Sequence, residues 1–272
     1  MAELLSGERI AKEILEQLKT EISPNTLGIS VVQIGKNAVS ETYIQKKKKA
    51  AEALGIRFFL YHFPETIGKG ELQDGLEKIL ESSRTGGMII QLPLPSHLPM
   101  QEILDLIPVY KDIDVLSSEA FGKFALGILP ILPPTVGAVQ SLLETYSIEV
   151  RGKHAVIVGS GRLVGLPLSL WFMKQKATVT VANRSTKNLA EITKQADILI
   201  SGVGSARLIT GEMVKEGAVV IDAGTSVESG ETMGDVDFES VEPKASYITP
   251  VPGGVGPLTV AHLLQNLVIL SR

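Results

Sequence analysis

No cysteine occurs in the 272 residues. That absence removes disulfides, thiol nucleophiles and zinc–thiolate centres, and nothing in the chain asks for an oxidising compartment. Histidine is scarce. The four present (His62, His97, His154 and His262) stand far apart, and none has a metal-ligand spacing with another histidine or a carboxylate pair. No metal is therefore expected. Long apolar runs are missing too. The most apolar window, 124–132, is short and broken by Pro130, so no membrane-spanning segment is expected. Residues 1–8 lack the basic flank and apolar stretch of a secretory signal. Excess positive charge is absent, the net charge being −4, which argues against a nucleic-acid surface. A cytoplasmic protein with a small-molecule partner is the expectation.

Hydrophobic residues make up 44% of the chain, enough for a sizeable core in one or two domains. Strand and helix signals alternate. Ile10, Ile14 and Leu18 mark a helix face. Strands are predicted over 27–34, 57–63 and 88–91, with helices over 40–54, 71–82 and 100–107. A Gly- and Pro-rich irregular passage fills 108–134, and a bridging helix is predicted over 135–146. Further strands follow over 154–158, 178–182, 197–200, 219–222 and 246–249. This pattern predicts an α/β protein with two parallel-sheet domains. The expected boundaries are 1–134 plus 253–272 for one domain and 135–252 for the other, with the last helix packing back on the first domain.

Three strings carry chemistry. Residues 249–259 hold three prolines and three glycines in eleven positions, with no charge. Such a stiff, backbone-rich loop suits a flat ligand held by main-chain groups; the alternative is a turn that docks the last helix. The apolar strand 154–158 runs into Gly159-Ser160-Gly161-Arg162-Leu163-Val164-Gly165-Leu166-Pro167. Glycines there let a strand turn sharply into a helix whose free N–H groups face a pyrophosphate, with Pro167 in the first turn. The spacing is GxGxxxG, not the usual GxGxxG. The next strand ends in Asn183-Arg184-Ser185 with no acid to take a ribose 2′-hydroxyl. Arg184 can instead meet a 2′-phosphate, so NADP is favoured, with NAD as the alternative.

The third string lies on the helix predicted over 40–54. Ser40, Tyr43 and Lys47 share one face, and a lysine partly desolvated beside a phenol can exchange protons. Lys46, Lys48 and Lys49 read as a solvated basic face. Gln91 ends a strand before Leu92-Pro93-Leu94-Pro95, where parallel sheets place ligands. Either Asp112 or Asp114 could read the donor edge of a heterocycle, and spacing does not choose between them.

Taken in order, these segments closely resemble the bifunctional methylenetetrahydrofolate dehydrogenase/methenyltetrahydrofolate cyclohydrolases. The carrying residues are Ser40-x-x-Tyr43-x-x-x-Lys47, Gln91-Leu-Pro-Leu-Pro95, Lys111-Asp-Ile-Asp114, the loop 159–167, Val220-Ile-Asp222-Ala-Gly224, Gly234-Asp-Val236 and the string 248–257. The resemblance implies a catalytic folate domain, a Rossmann-like NADP domain, a cleft between them, and a homodimer formed through the nucleotide domain. It implies oxidation of 5,10-methylenetetrahydrofolate by NADP, then hydrolysis to 10-formyltetrahydrofolate. By resemblance Lys47 is the essential lysine, Tyr43 stacks on the folate, Gln91 tunes the lysine, and Asp114, rather than Asp112, holds the pterin edge. Ile90, Leu92 and the loop Pro252, Gly253, Gly254, Val255 and Gly256 are implied around the folate. Gly159, Ser160, Gly161, Arg162, Gly165, Arg184, Ser185, Gly204 and Thr225 are implied around the cofactor.

The chain departs from the family pattern in places. Val115 stands where the family has Gly, and Gly161 where it has Ser. Pro134-Thr135-Val136 replaces Cys-Thr-Pro. Ala206 takes the place of Pro, and Thr225-Ser226 that of Ile-Asn. Most of these lie on the cofactor side; the alternatives are a single-activity form, either a cyclohydrolase with a weakened cofactor site or a dehydrogenase alone, a non-catalytic folate or NADP binder, and an unrelated NADP dehydrogenase.

Overall fold

The computed structural model describes residues 1–82, 84–228 and 231–272. In chain order the elements are β1 (Glu3–Leu4), α1 (Gly7–Glu21), β2 (Gly28–Ile34), α2 (Ala38–Ala53), β3 (Arg57–Phe63), α3 (Lys69–Glu81), β4 (Gly87–Ile90), α4 (Met100–Leu104), α5 (Ser118–Leu126) and α6 (Pro134–Thr145). There follow β5 (His154–Val158), α7 (Gly165–Lys174), β6 (Thr178–Ala182), α8 (Leu189–Thr193), β7 (Ile198–Ser201), a 3₁₀ turn (Gly211–Met213), β8 (Val219–Asp222), β9 (Ser226–Glu228), β10 (Glu231–Met233), α9 (Phe238–Val241), β11 (Tyr247–Ile248) and α10 (Val255–Leu270). They form two compact units: Met1–Ala11 with Thr135–Thr259, and Lys12–Pro134 with Val260–Arg272.

The second unit is built on a parallel sheet ordered β3-β2-β4. β2 is buried along its whole length, so it carries apolar residues on both faces. Alternation sorts them. Ile29, Val31 and Ile89 pack with Ile44 and Ala51 of α2 and with Leu263, Leu264 and Leu267 of α10. Val32, Ile34, Met88 and Ile90 pack with Leu72 and Leu76 of α3 and with Ile103 and Leu104 of α4. The buried Asn266 side chain on α10 donates to the carbonyls of Ile113 (2.9 Å) and Leu132 (2.8 Å).

The first unit holds a six-stranded parallel sheet ordered β1-β11-β8-β7-β5-β6. Its central strands β7 and β8 are buried throughout, in keeping with their Ile- and Val-rich sequences. β9 and β10 pair antiparallel outside this sheet.

The passage 108–134 is less irregular than its composition suggests, because it contains α5. The helix is capped by the Ser117 hydroxyl, which accepts from the Ala120 N–H, and it ends at left-handed Gly127. The unit boundaries also differ from those read off the sequence at 1–11 and 253–259. β1 pairs with β11, and the Gly253 carbonyl accepts from the N–H groups of Gly7 (2.9 Å) and Glu8 (3.1 Å), tying both segments to the six-stranded unit. Residues 260–272 do pack with the three-stranded unit, as expected of the last helix.

Asn266→Leu leaves two carbonyls without their donor, at about 1–3 kcal/mol each where they are buried. The expected outcome is a melting temperature lower by roughly 5 °C or more in a thermal scan; an unchanged value refutes the bracing role.

Candidate active site

In the three-stranded unit, α2 starts at Asn37, whose side chain accepts from the Ser40 N–H at 2.9 Å. This cap sets the rotation of the helix, so Ser40, Ile44 and Ala51 turn inward. Lys47 shares that face. Its ammonium donates to Gln91 Oε1 at 3.0 Å, and Gln91 Nε2 donates to the Leu92 carbonyl at 3.1 Å. The Ser40 hydroxyl donates to the same carbonyl at 3.1 Å. Ser40, Lys47, Gln91 and Leu92 are thus brought together by hydrogen bonds.

Lys47 is half-buried. Burial pushes its pKa below the ordinary lysine range, and the Asp114 carboxylate opposes that shift. Asp114 is also half-buried. Burial pushes its pKa up, Lys47 pulls it down, and Asp112 pushes it up again. Both groups are therefore easier to neutralise than in water. Asp112 is differently committed: it is 1% exposed and accepts from the N–H groups of Leu116 (3.0 Å) and Ser117 (2.7 Å). The two carboxylates differ in their partners: Asp112 organises the backbone, and Asp114 couples to the lysine. Tyr43 is half-buried, and Lys46, exposed as its solvated face requires, holds its ammonium 5.6 Å from the Tyr43 ring centroid.

Two buried residues of this unit add to the picture: Val115, already noted where the family has Gly, and Gln33, which sequence reasoning missed. Val115 is buried at φ 58°, a left-handed conformation that disfavours a β-branched side chain and explains why glycine suits the position. Gln33 is 3% exposed, and neither amide atom has a partner among the described residues. Val32 is in register with Ile90, and the Gln91 N–H donates to the Val32 carbonyl, so Gln33 lies alongside Gln91. An amide near the end of a buried, mostly apolar strand was the available signal. Ile90 does not join the group through its side chain: it is 1% exposed, and alternation turns it into the core formed with α3 and α4.

In the six-stranded unit, β5 turns at Gly159, φ 112°. A Cβ on Gly165 would lie 1.8 Å from the Gly159 oxygen, so the start of α7 presses on the turn and tolerates only glycine. A Cβ on Gly161 would meet nothing within 4 Å, so serine would fit there. Ser160 and Gly161 are exposed and Arg162 is half-buried. A Cβ on Gly204 would stand 3.5 Å from the Thr225 carbonyl, which places these two candidates side by side at the carboxyl ends of β7 and β8. Exposed Arg184 and Ser185 follow β6, the neighbour of β5, in a turn closed by the Asn183 N–H donating to Thr186 Oγ1 at 2.8 Å. Pro252, Gly253, Gly254, Val255 and Gly256 belong to this unit. Gly254 is buried, and a Cβ on Gly7 would lie 1.8 Å from its oxygen, so the proline–glycine string docks the first turn of α1 and begins α10. Part of its composition answers to packing.

These two sets of side chains coincide with two family models. Residues 5–114 match the tetrahydrofolate dehydrogenase/cyclohydrolase catalytic domain, and residues 133–272 match the NAD(P)-binding domain of the same family. The chain belongs to this family. The bifunctional protein FolD 2 of Lactobacillus johnsonii is 43% identical over 277 residues, covering 100% of this chain and 98% of that one. The crystal structure of the bifunctional FolD enzyme of Campylobacter jejuni superposes with a TM-score of 0.93 at 39% identity, covering 100% of this chain and 99% of that one. The Trypanosoma brucei enzyme, solved with NADP cofactor and an inhibitor, has a TM-score of 0.93 at 34% identity and covers 99% and 97%. The fold is accordingly a two-domain α/β architecture with a Rossmann-like unit. The chain is an enzyme of folate one-carbon metabolism with dehydrogenase and cyclohydrolase activity and an NAD(P) cofactor. Among the described residues no helix is long and apolar enough to cross a membrane, and no cluster of three His, Asp or Glu is placed to hold a metal.

Asp222, at the end of β8, is buried, and its pKa is raised from 3.8 to about 6, chiefly by burial and further by Asp235. The native state therefore holds this proton more tightly than the unfolded chain, and stability falls as pH rises from about 4 through 6. The melting-temperature advantage of wild type over Asp222→Asn should shrink between pH 5 and pH 7.5. A constant or growing advantage contradicts the assignment.

Proposed function

We propose that the chain oxidises 5,10-methylenetetrahydrofolate with NADP and then hydrolyses the methenyl product at Lys47, Gln91 and Asp114. The observation that carries this reading is the Lys47–Gln91 hydrogen bond at 3.0 Å on a lysine whose charged form is disfavoured by burial. The turn 159–165, Arg184, Ser185, Gly204 and Thr225 would hold NADP, with Arg184 available to its 2′-phosphate, and the cofactor would supply the acceptor for the hydride of the methylene carbon.

In the hydrolytic step the oxygen of a water bonds to the methenyl carbon while its proton passes to neutral Lys47. The carbon–nitrogen bond at the bridge then breaks as Lys47 returns that proton to the leaving ring nitrogen, and the new hydroxyl releases its remaining proton to solvent as the formyl C=O forms, giving 10-formyltetrahydrofolate and one proton. Gln91 holds the amine in place. Asp114 accepts from the pterin edge, and Tyr43 stacks on the ring. Leu92 and the main chain of Ile90 complete the folate contacts within the three-stranded unit. We extend the family reading to a cytoplasmic homodimer formed through the six-stranded unit. Its edge strand β6, with Val181 40% exposed, supports that surface.

A cyclohydrolase with a weakened cofactor site is the second reading, favoured by the departures at Gly161, Ala206, Thr225 and Ser226. Two measurements decide. Lys47→Met should lower methenyltetrahydrofolate hydrolysis at least ~100-fold, followed by decay of the methenyl absorbance; wild-type rates in that variant end the mechanism. Arg184→Ala should raise the KM for NADP roughly tenfold while leaving that for NAD nearly unchanged. Equal effects on both favour the second reading.

A further inference from the structure

The segment Gly234-Asp235-Val236 has no part in the chemistry above, yet Asp235 is the most heavily engaged carboxylate of its unit. It is 0% exposed. One oxygen accepts from the Ser201 hydroxyl at 2.8 Å and from the Val203 N–H at 2.7 Å, and the other accepts from the Ser205 N–H at 2.8 Å. Asp222 mirrors it, accepting from the N–H groups of Gly224 (2.9 Å) and Val236 (2.8 Å). The two acids interlock through glycines. A Cβ on Gly224 would fall 2.0 Å from the Asp235 carboxyl carbon, and one on Gly234 would fall 2.1 Å from an Asp222 oxygen. Neither acid has a cationic partner among the described residues, so backbone and hydroxyl donors alone compensate two neighbouring buried carboxyls. That arrangement is costly, and it holds only where the donors are fixed.

Those fixed donors belong to a functional wall. The loop that Asp235 holds, residues 202–205, abuts the glycine-rich turn. A Cβ on Gly159 would lie 2.8 Å from the Gly202 oxygen, and one on Gly202 would lie 2.3 Å from Val164 Cγ1. The same loop carries Gly204 against Thr225. We propose that Asp235, braced by Asp222, is a positioning residue for the dehydrogenase reaction, fixing the 202–205 loop so that the glycine-rich turn and the Gly204–Thr225 contact keep the shape of an NADP cradle. This inference rests on the assignment of NADP to the six-stranded unit. It predicts a split between the two activities. Hydrolysis of methenyltetrahydrofolate consumes no nicotinamide and uses Lys47, Gln91 and Asp114 of the other unit.

The test is Asp235→Asn in the full-length enzyme. The substitution conserves volume but turns an acceptor into an NH₂ that faces the donors of the 202–205 loop. The expected result is NADP binding weaker by at least tenfold in calorimetry, a KM for NADP raised by a similar factor, and methenyl hydrolysis within twofold of wild type. Unchanged NADP affinity overturns the proposal. So does equal loss of both activities at a temperature where the variant is folded, since that is what a merely structural role produces. If Asp235→Asn does not fold, Ser201→Ala removes one of the three bonds; a KM for NADP raised severalfold supports the clasp, and an unchanged one rejects it. A wild-type protein that fails to bind NADP would sink the functional reading itself, whereas wild-type binding with an unaffected Asp235→Asn variant sinks only this inference.

Discussion

A parallel strand buried on both faces can offer chemistry only at its ends. Both units obey that constraint, and the functional residues follow from it. In the three-stranded unit, β4 stops at Ile90, and the next residue, Gln91, is the first able to turn its side chain to a ligand. In the six-stranded unit, the loops after β5, β7 and β8 crowd together because those strands are neighbours in the sheet. Glycines at 159, 165, 202, 224 and 234 are what let so many loops meet there.

Close meeting of loops has an electrostatic price, and the two units meet it in different ways. Lys47 and Asp114 are of opposite sign, yet burial still disfavours the charge on each, so neither is locked into an ion pair. A group in that condition can exchange protons. Asp222 and Asp235 are of like sign and are satisfied by peptide N–H groups and one serine hydroxyl. They serve shape, not proton transfer. Val115, held at positive φ beside Asp114, is local strain of the kind found next to reacting groups.

Much of this was legible in the sequence because its signals were local. Alternation gave β2, β3, β5 and β6 nearly to the residue, and the i, i+3, i+7 spacing of Ser40, Tyr43 and Lys47 put three side chains on one helix face. What stayed hidden depends on partners distant in sequence. β1 is two residues long and exists only because Glu3 and Leu4 find Tyr247 and Ile248. Asp112 and Asp114 look alike until the N–H groups of Leu116 and Ser117 claim one of them. The proline–glycine string carried two meanings at once. Its docking of α1 was unreadable because Gly7 lies at the opposite end of the chain.

The core of the three-stranded unit is completed by Leu263, Leu264, Leu267 and Val268, which follow the whole six-stranded unit in sequence. A nascent chain that has emerged as far as Pro134 thus has one face of its sheet covered only by α1 and α2 and must keep the rest from aggregating while the other half is made. The final turns of α10 act as a seal applied only after the six-stranded unit has been made. A stop that removed only these turns would uncover the three-stranded core while leaving Lys47, Gln91 and Asp114 in the chain.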